Sequence, residues 1–260
     1  MCLTCAEMFG ESVSNLTVVI LTKNEELNIV DVIANAKQVS DKVLVVDSGS
    51  TDRTVELAEQ SGARVVYRAW DNDFAAQRNF ALKHVDTEWV LYLDADERMN
   101  DELCREIVGV VEKNVVKQYS FKRKSVAFGK MFNNGVLRPD WVHRLFKKGN
   151  VTWCNKVHEK PVCVDKSKKL NGYIVHFTYT NWEQYLKKFD QYTSIWAQNS
   201  MNKQTNYFMA FVHATFAFIQ MCFLKKGILD GWLGIVLSVN HFTYTLMKYV
   251  KLIELQRKGK

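Results

Sequence analysis

Two carboxylates with one residue between them, Asp94 and Asp96, are the feature of this sequence best suited to bind a metal ion. In an extended segment, side chains two positions apart point to the same side, so both carboxylates can share one ligand. Hard oxygen ligands suit Mg²⁺ or Mn²⁺, and a small set of protein ligands leaves room for diphosphate oxygens and water. An isolated Asp-x-Asp is common in surface turns, so the interpretation depends on the elements that position the pair.

The chain before Asp94 alternates predicted strands and helices. Four runs predict strands: Leu16–Leu21, Val43–Val46, Ala63–Tyr67 and Trp89–Leu93. The first, a β-branched apolar run, is typical of a strand buried on both faces, and the second is also predicted to be buried. Three helices are predicted between them: one capped by Asn24, one that ends near Gly62, and one over Phe74–His84. This alternation predicts right-handed βαβ units and a mostly parallel sheet with flanking helices, an α/β fold.

Polar loops follow three of the predicted strands, at residues 22–25, 47–52 and 94–97. Ligands of such sheets bind beyond the carboxyl ends of the strands, so the three loops are expected to converge on one edge. Neither a G-x-G dinucleotide fingerprint nor a G-x-x-x-x-G-K-[ST] loop occurs in the chain. Phosphates must then be held by something other than a glycine-rich loop, and a divalent metal is the usual substitute.

Three of these segments together resemble the family-2 glycosyltransferases of the GT-A fold: Thr17–Glu25 (TVVILTKNE), Val45–Thr54 (VVDSGSTDRT) and Leu91–Glu97 (LYLDADE). The match covers about Leu16 to Glu112. Four further segments are similar to a narrower branch, the lipopolysaccharide inner-core β-glucosyltransferases: Ala76–Asn79 (AQRN), Arg144–Phe146 (RLF), Val157–Glu159 (VHE) and Asp230–Gly234 (DGWLG). Leu21 and Ser48 stand where many relatives have Pro and Asp, and the branch with VVDSGS-type loops tolerates both.

The resemblance implies a UDP-sugar donor, Mg²⁺ or Mn²⁺, and a set of site residues. Asp47 would accept a hydrogen bond from the base of the nucleotide, and Asp96 would bind the metal with His176 completing its shell. The donor would be contacted by Thr22, Asn24, Glu25, Asp47, Arg78, Asp94 and Ala95. Alternatives stay open for several residues: Asp52 as a helix cap, Arg78 as a surface helix residue, His176 as a packed strand-end residue, and Glu97 as a residue that orients Asp96 or the adjoining helix.

Inverting glycosyl transfer needs a base that deprotonates the acceptor hydroxyl. Few acidic residues follow Glu112, and two of them lie among aromatic and basic residues: Asp140 and Glu159. Glu159 is preferred because a His-Glu pair occurs in the resembling branch, and Asp140 is the second candidate. A salt bridge between Glu159 and Lys156 or Lys160 is the structural alternative. Asp94 would contact the ribose or a metal-bound water.

The composition changes after Asn181, which is expected to cap an amphipathic helix. Tyr207–Leu224 has no charged residue and Ile228–Tyr249 is also mostly apolar, with Lys225 and Lys226 between them. These two stretches allow three interpretations: two membrane spans, two helices that dip into an anionic leaflet, or a soluble helical subdomain or homodimer interface. Leaflet contact is preferred. The predicted domains are residues 1–13, a GT-A domain over 14–180, and a helical region over 181–260.

Charge is distributed unevenly along the chain. Up to Glu112 there are 10 Lys and Arg against 21 Asp and Glu, and the remainder has 25 basic and 7 acidic residues. The two parts are either ordinary solvated faces, or the basic part faces an anionic partner such as nucleic acid or an acidic membrane. It would also suit a phosphorylated sugar core, and no RNA-binding signature accompanies it. A single C-x-x-C pair, Cys2 and Cys5, lacks a second pair for zinc. The first fifteen residues have no basic start followed by an apolar run, so a secretory signal is not expected there. A peripheral protein on the cytoplasmic face of the membrane is expected.

The sequence thus predicts an inverting, metal-dependent hexosyltransferase. It would move a sugar, expected to be glucose, from a UDP-sugar to a membrane-bound saccharide, with lipopolysaccharide core as the favoured acceptor and another surface glycan or lipid carrier as the alternative. A sugar nucleotidyltransferase is the rival enzyme class, but Leu16–Glu26 lacks the glycine- and arginine-rich phosphate loop of that class. A non-catalytic membrane or nucleic-acid adaptor is the other rival, and the three aligned strand-end motifs argue against it.

Overall fold

The computed structural model describes residues 13–155, 160–163 and 165–258. The chain forms two compact units. The first contains residues 13–123 and 140–176, and the second contains residues 124–139 and 177–258. The second unit therefore takes a segment from the middle of the chain in addition to its C-terminal part.

The first unit is built on a central sheet. Its strands are β1 (Leu16–Thr22), β2 (Val43–Asp47), β3 (Arg64–Tyr67), β4 (Trp89–Asp94), β5 (Glu97–Met99), β6 (Gln118–Ala127), β8 (Asp140–Lys147) and β11 (Lys168–Tyr179), and β7 (Lys130–Met131) pairs with the end of β6 in the second unit. A separate hairpin joins β9 (Thr152–Cys154) to β10 (Lys160–Val162). The helices are α1 (Ile29–Ala36), α2 (Thr54–Gln60), α3 (Phe74–Lys83) and α4 (Asp101–Lys113).

The strand order is β3-β2-β1-β4-β8-β6-β11-β5. The first four strands are parallel to one another, whereas β8 is antiparallel to both β4 and β6, and β5 is antiparallel to β11. Since β4 and β5 are separated by only two residues but by three strands in this order, the sheet curls back on itself. The predicted α/β fold with flanking helices is confirmed, and its parallel part is the four-strand half.

Both faces of β1, β2 and β4 are covered, which explains the apolar runs of these strands, whereas the edge strand β3 is partly exposed. Along β1, Val18 and Ile20 pack in one core cluster with α1 and α4, and Val19 packs in a second cluster with α3. Along β4, Leu91 and Tyr92 divide between the two clusters in the same way. The core thus holds the carboxyl ends of β1, β2 and β4 at one edge.

The predicted cap at Asn24 is wrong. The helix begins at Ile29, and Asn24 adopts a left-handed conformation with φ of 56°. Its side-chain oxygen instead accepts from the backbone N–H of Thr51 at 2.8 Å, and its own N–H donates to the Ser50 hydroxyl at 2.8 Å. Asn24 therefore joins the loop after β1 to the loop after β2, which a local helix pattern does not reveal.

The second unit is helical apart from its short strand segments. Its helices are α5 (Trp182–Asn199), α6 (Tyr207–Ile219), which continues as a π-helical turn over Gln220–Leu224, and α7 (Gly231–Lys258). Asn181 caps α5 as predicted, since its side chain accepts from the Gln184 N–H at 2.8 Å. One stretch among the described residues, Tyr207–Leu224, is long and apolar enough to cross a membrane, judged by length and composition alone.

The DGWLG motif has a packing role in this unit. The buried Asp230 carboxylate accepts from the backbone N–H of Asn134 at 2.8 Å and from its side-chain amide at 3.2 Å. Gly234 packs so closely that a Cβ there would lie 2.0 Å from the Gly227 carbonyl oxygen. The motif thus holds the start of α7 against the turn before it and against the loop that contains Asn134.

Candidate functional site

Asp94 lies at the carboxyl end of β4, between two arginines. Its carboxylate accepts from Arg78 at 3.0 Å and from Arg144 at 2.6 Å. Burial acts to raise the pKa of Asp94, but Arg144 and Arg78 outweigh it and hold that pKa well below its usual range. Asp94 is therefore an anion throughout the neutral pH range.

Arg78 reaches Asp94 from α3, whose N-terminus is capped by Asp73. Its side chain is only 2% exposed, so the surface alternative for this residue is wrong. The guanidinium lies 5.3 Å from the ring centre of Tyr92 and 4.8 Å from that of Trp153, and the Tyr92 hydroxyl donates to the Arg78 carbonyl at 3.1 Å. These contacts fix the direction from which Arg78 approaches Asp94.

Arg144 is the residue whose part in the site the sequence interpretation missed. It lies on β8, next to β4 in the sheet, and it bridges Asp94 and Glu97, at 2.6 Å and 2.9 Å. Glu97 is fully buried and also accepts from the Asp94 N–H at 3.1 Å. Burial raises the pKa of Glu97, assisted by the nearby Asp94, and Arg144 and Arg123 offset this in part. Glu97 thus orients Asp94. In the sequence, only the RLF motif indicated that Arg144 could belong to the site.

The side chains of Asp96 and His176 contact each other. Nε2 of His176 lies 3.1 Å from a carboxylate oxygen of Asp96, and both side chains are partly exposed, at 19% and 28%. The pairing of β5 with β11 brings them together, since Glu97 and His176 are register partners. A carboxylate oxygen and an imidazole nitrogen that converge at a partly open position fit a Mn²⁺ or Mg²⁺ ion with further positions for phosphate oxygens and water. No group of three or more possible ligands occurs among the described residues.

The loops after β1 and β2 form the side of the site next to the end of β4. Asp47 is buried, and its carboxylate accepts from the N–H groups of Gly49 and Ser50 at 2.8 and 3.0 Å and from the Ser50 hydroxyl at 2.5 Å. The Thr22 hydroxyl is buried and has no hydrogen-bond partner among the described residues. Asp47 thus shapes its own turn, while Thr22 retains an unused polar group at the end of β1.

Three further predicted residues have structural partners here. The Glu25 carboxylate accepts from the Asn28 amide at 2.7 Å. Ala95 is buried, and its carbonyl accepts from Arg98 at 2.7 Å. Asp52 lies one residue before Arg53, the N-cap position of α2, and accepts from the N–H and the hydroxyl of Thr54 at 3.0 and 2.5 Å. These contacts fix the backbone around the site.

Of the two candidate bases, Asp140 lies within the described residues and Glu159 does not. Asp140 begins β8, and both of its oxygens are held by Arg123, at 3.1 and 2.8 Å. Glu159 lies outside the described residues, as do Cys2 and Cys5. Lys160, which follows Glu159 in the chain, lines a cleft of about 530 Å³ together with Arg123, Arg144 and Trp153.

The cleft is held in place by α3. The Asn79 side chain donates to the Trp153 carbonyl at 2.8 Å and accepts from the Trp153 N–H at 2.9 Å, so it pairs with β9 as a neighbouring strand would. Adjacent residues of the AQRN segment thus make two contacts: Arg78 holds Asp94, and Asn79 holds the β9–β10 hairpin. The carboxylates and the cleft are connected through this helix.

The chain is similar to known proteins in sequence and in structure. Residues 17–164 match the family model described as Glycosyl transferase family 2. An uncharacterised glycosyltransferase of Rickettsia typhi is 30% identical over 257 residues, which cover 93% of this chain and 87% of that protein. Among solved structures, Staphylococcus aureus TarS 1–349 in complex with UDP is 14% identical, with a TM-score of 0.47 and coverage of 95% of this chain and 92% of that one. Glucosyl-3-phosphoglycerate synthase of Mycobacterium tuberculosis, in complex with Mn²⁺, UDP and glucosyl-3-phosphoglycerate, is 20% identical, with a TM-score of 0.39 and coverage of 56% and 62%.

Proposed function

This chain belongs to glycosyltransferase family 2 and has the GT-A fold, and from that premise we propose that it transfers a hexose, with inversion, from a UDP-sugar to a saccharide acceptor. The observation that carries this proposal is the arrangement at the end of β4. Asp94 is fixed between Arg78 and Arg144, and two residues further on Asp96 faces His176. One edge of the sheet therefore offers a cation-binding pair beside a carboxylate whose position two arginines fix, which suits a metal-bound nucleoside diphosphate.

Asp96 and His176 would hold the metal. When bound, Mn²⁺ or Mg²⁺ would offset the negative charge that develops on the diphosphate leaving group. Thr22, Asn24, Glu25 and Asp47 would surround the nucleoside, and the unused Thr22 hydroxyl is the group best suited to a direct hydrogen bond. Arg78 and Asp94, with the backbone at Ala95, would position the ribose and phosphates.

Glu159 remains the preferred base for the acceptor hydroxyl. The reserve candidate, Asp140, has both oxygens engaged by Arg123, which leaves it less able to accept a proton from a substrate. Glu159 directly precedes Lys160, a residue that lines the cleft. A base at this position would remove the proton from the acceptor as its oxygen attacks the anomeric carbon.

The proposed acceptor is the saccharide core of lipopolysaccharide, with another surface glycan or lipid carrier as the alternative. The resemblance of the AQRN, RLF and DGWLG segments to the inner-core branch supports the former and also supports glucose as the donor sugar. Peripheral association with an anionic membrane on its cytoplasmic side follows from a lipid-linked acceptor. Its structural support is the exposed apolar surface of the second unit, whose members include Phe208, Phe216, Phe223, Leu229 and Trp232, with Lys225 and Lys226 exposed beside it.

A screen of nucleotide sugars for nucleotide release, run with and without Mn²⁺, tests the proposal. We expect metal-dependent UDP release that Asp96→Ala abolishes, whereas Asp86→Ala, whose side chain is 83% exposed, leaves the rate unchanged. Glu159→Gln should retain UDP binding and lose transfer. Release of pyrophosphate in place of UDP would assign the chain to the nucleotidyltransferases, and normal transfer by Glu159→Gln would overturn the base assignment.

A further inference from the structure

Trp141 presents a large aromatic surface in the cleft, and two lysines flank it. The residue is 40% exposed and lies on β8. The ammonium of Lys122 on β6 is 5.7 Å from the centre of its ring, and that of Lys169 on β11 is 4.4 Å away. Lys122 and Trp141 are register partners, so these three side chains come from neighbouring strands. We call this group the Trp141 platform.

The lysines of the platform and the arginines of the cleft differ in whether they form ion pairs. Arg123 is paired with Asp140 and Glu97, and Arg144 is paired with Asp94 and Glu97. Lys122 and Lys169 are both exposed, and neither forms an ion pair with another described residue. The platform therefore carries positive charge that no carboxylate of the described residues balances in an ion pair, beside a cleft whose arginines are already ion-paired.

Such a platform fits a saccharide that carries an anionic group. The face of an indole is a broad apolar surface against which the C–H face of a pyranose can stack. The ammonium groups of Lys122 and Lys169 lie over this ring, beside any sugar that stacks on it, and attract a phosphate or carboxylate substituent, since lysine binds phosphate as a compact point charge. A neutral sugar would stack on the ring but would not form a charge interaction with either lysine. The arrangement thus favours an anionic saccharide over a neutral one.

We propose that the Trp141 platform binds the acceptor through a phosphate or carboxylate group on its sugar. This inference rests on the proposed function, because it assigns the cleft to the second substrate of the same reaction. The cleft is next to the transfer site, since Arg144 both lines it and contacts Asp94 at 2.6 Å. An acceptor held on Trp141 would lie beside the carboxylates that position the donor.

Fluorine NMR of 5-fluorotryptophan-labelled protein tests the inference. The chain has seven tryptophans, and the spectrum of Trp141→Phe identifies the resonance of Trp141. The protein is titrated with glucose 6-phosphate, glucuronate, glucose and inorganic phosphate. We expect a saturable shift with glucose 6-phosphate or glucuronate that is roughly tenfold tighter than with glucose, as two weak charge contacts would give. Comparing the first two sugars distinguishes a phosphate from a carboxylate.

The variant Lys122→Gln/Lys169→Gln should lose this preference, while the control Lys42→Gln/Lys113→Gln, at exposed positions away from the cleft, should keep it. The unchanged resonances of the other tryptophans report that each variant is folded. Equal affinity for glucose and glucose 6-phosphate, a preference that survives in Lys122→Gln/Lys169→Gln, or no response of Trp141 to any sugar would overturn the inference. UDP binding with Mn²⁺, measured on the same samples, separates this failure from failure of the proposed function.

Discussion

Nε2 of His176 lies 3.1 Å from a carboxylate oxygen of Asp96, although the two residues are 80 positions apart in the chain. The contact is made by β5 and β11, so sheet pairing and not a local loop brings these two candidate ligands together. A carboxylate and an imidazole at this distance can share a cation without a large rearrangement of the backbone.

The first prediction concerns this pair. His176→Ala should lower the affinity for UDP in the presence of Mn²⁺ by at least about tenfold, since even the outer shell of a metal site typically contributes that much. Affinity in the absence of Mn²⁺ should change little. Calorimetric titration of UDP with and without Mn²⁺ measures both. An equal loss in the two conditions would mean that His176 supports the fold and not the metal.

The second prediction concerns Asp94 and pH. The lowered pKa of Asp94 means that its ion pairs stabilise the folded state above the unfolded pKa of about 3.9, and this stabilisation is lost as the pH falls below that value. Asp94→Asn should therefore be less stable than the wild type at pH 7, and the difference should shrink toward pH 3. Urea unfolding at several pH values measures it. Asp86→Asn, at an exposed position, should show no such difference.

The third prediction concerns the anchor between α3 and β9. Asn79→Ala removes both hydrogen bonds to the Trp153 backbone, which should cost about 1–3 kcal/mol in the free energy of unfolding. Asn79→Asp keeps the acceptor for the Trp153 N–H but sets a carboxylate oxygen against the Trp153 carbonyl, so it is expected to be at least as destabilised as Asn79→Ala. Intrinsic fluorescence during urea unfolding gives the values. Identical stability of Asn79→Ala and wild type would remove the anchoring role.

The fourth prediction uses two glycines as a matched pair. Gly234→Ala places a Cβ against the Gly227 carbonyl and should destabilise the protein by about 3 kcal/mol. Gly109→Ala, in α4, meets nothing within 4 Å and should stabilise it by about 0.5–1 kcal/mol. Thermal unfolding measures both changes. Equal effects of the two substitutions would contradict the close packing at the start of α7.

The fifth prediction concerns the apolar surface of the second unit. Lys225→Gln/Lys226→Gln should weaken binding to phosphatidylglycerol vesicles by about 1 kcal/mol per lysine. Phe208→Ser/Phe216→Ser, which alters side chains that are 75% and 57% exposed, should weaken binding to the same vesicles without loss of fold. Co-sedimentation measures the bound fraction. Unchanged binding of both variants would exclude this surface as the contact.

The elements that the sequence predicted best are those governed by burial. The strands ending at Asp47 and Asp94 lie within one or two residues of their predicted limits, because both faces of these two strands are covered and only apolar runs fit there. The antiparallel half was less visible. In β6 and β8 a buried block of residues adjoins a more exposed one, and both strands carry charged residues such as Arg123 and Arg144.

The contacts of the site were predictable only in part. The position of Asp94 at a strand end follows from its local sequence, whereas its two arginines come from 16 and 50 residues away along the chain. At Asn24 the local sequence was misleading. An asparagine before two glutamates is typical of a helix cap, but Asn24 forms hydrogen bonds with Ser50 and Thr51 of another loop. Long-range hydrogen bonding therefore decided both positions.

The sheet order has a consequence for how this chain can vary. Ala95 and Asp96 alone connect β4 to β5, although three strands separate them in the sheet. Slippage by one residue anywhere across β8, β6 and β11 would reverse the direction in which alternate side chains point and would separate His176 from Asp96. Insertions within these strands should consequently be far less tolerated than insertions in the turns that join them, even at positions remote from any substrate.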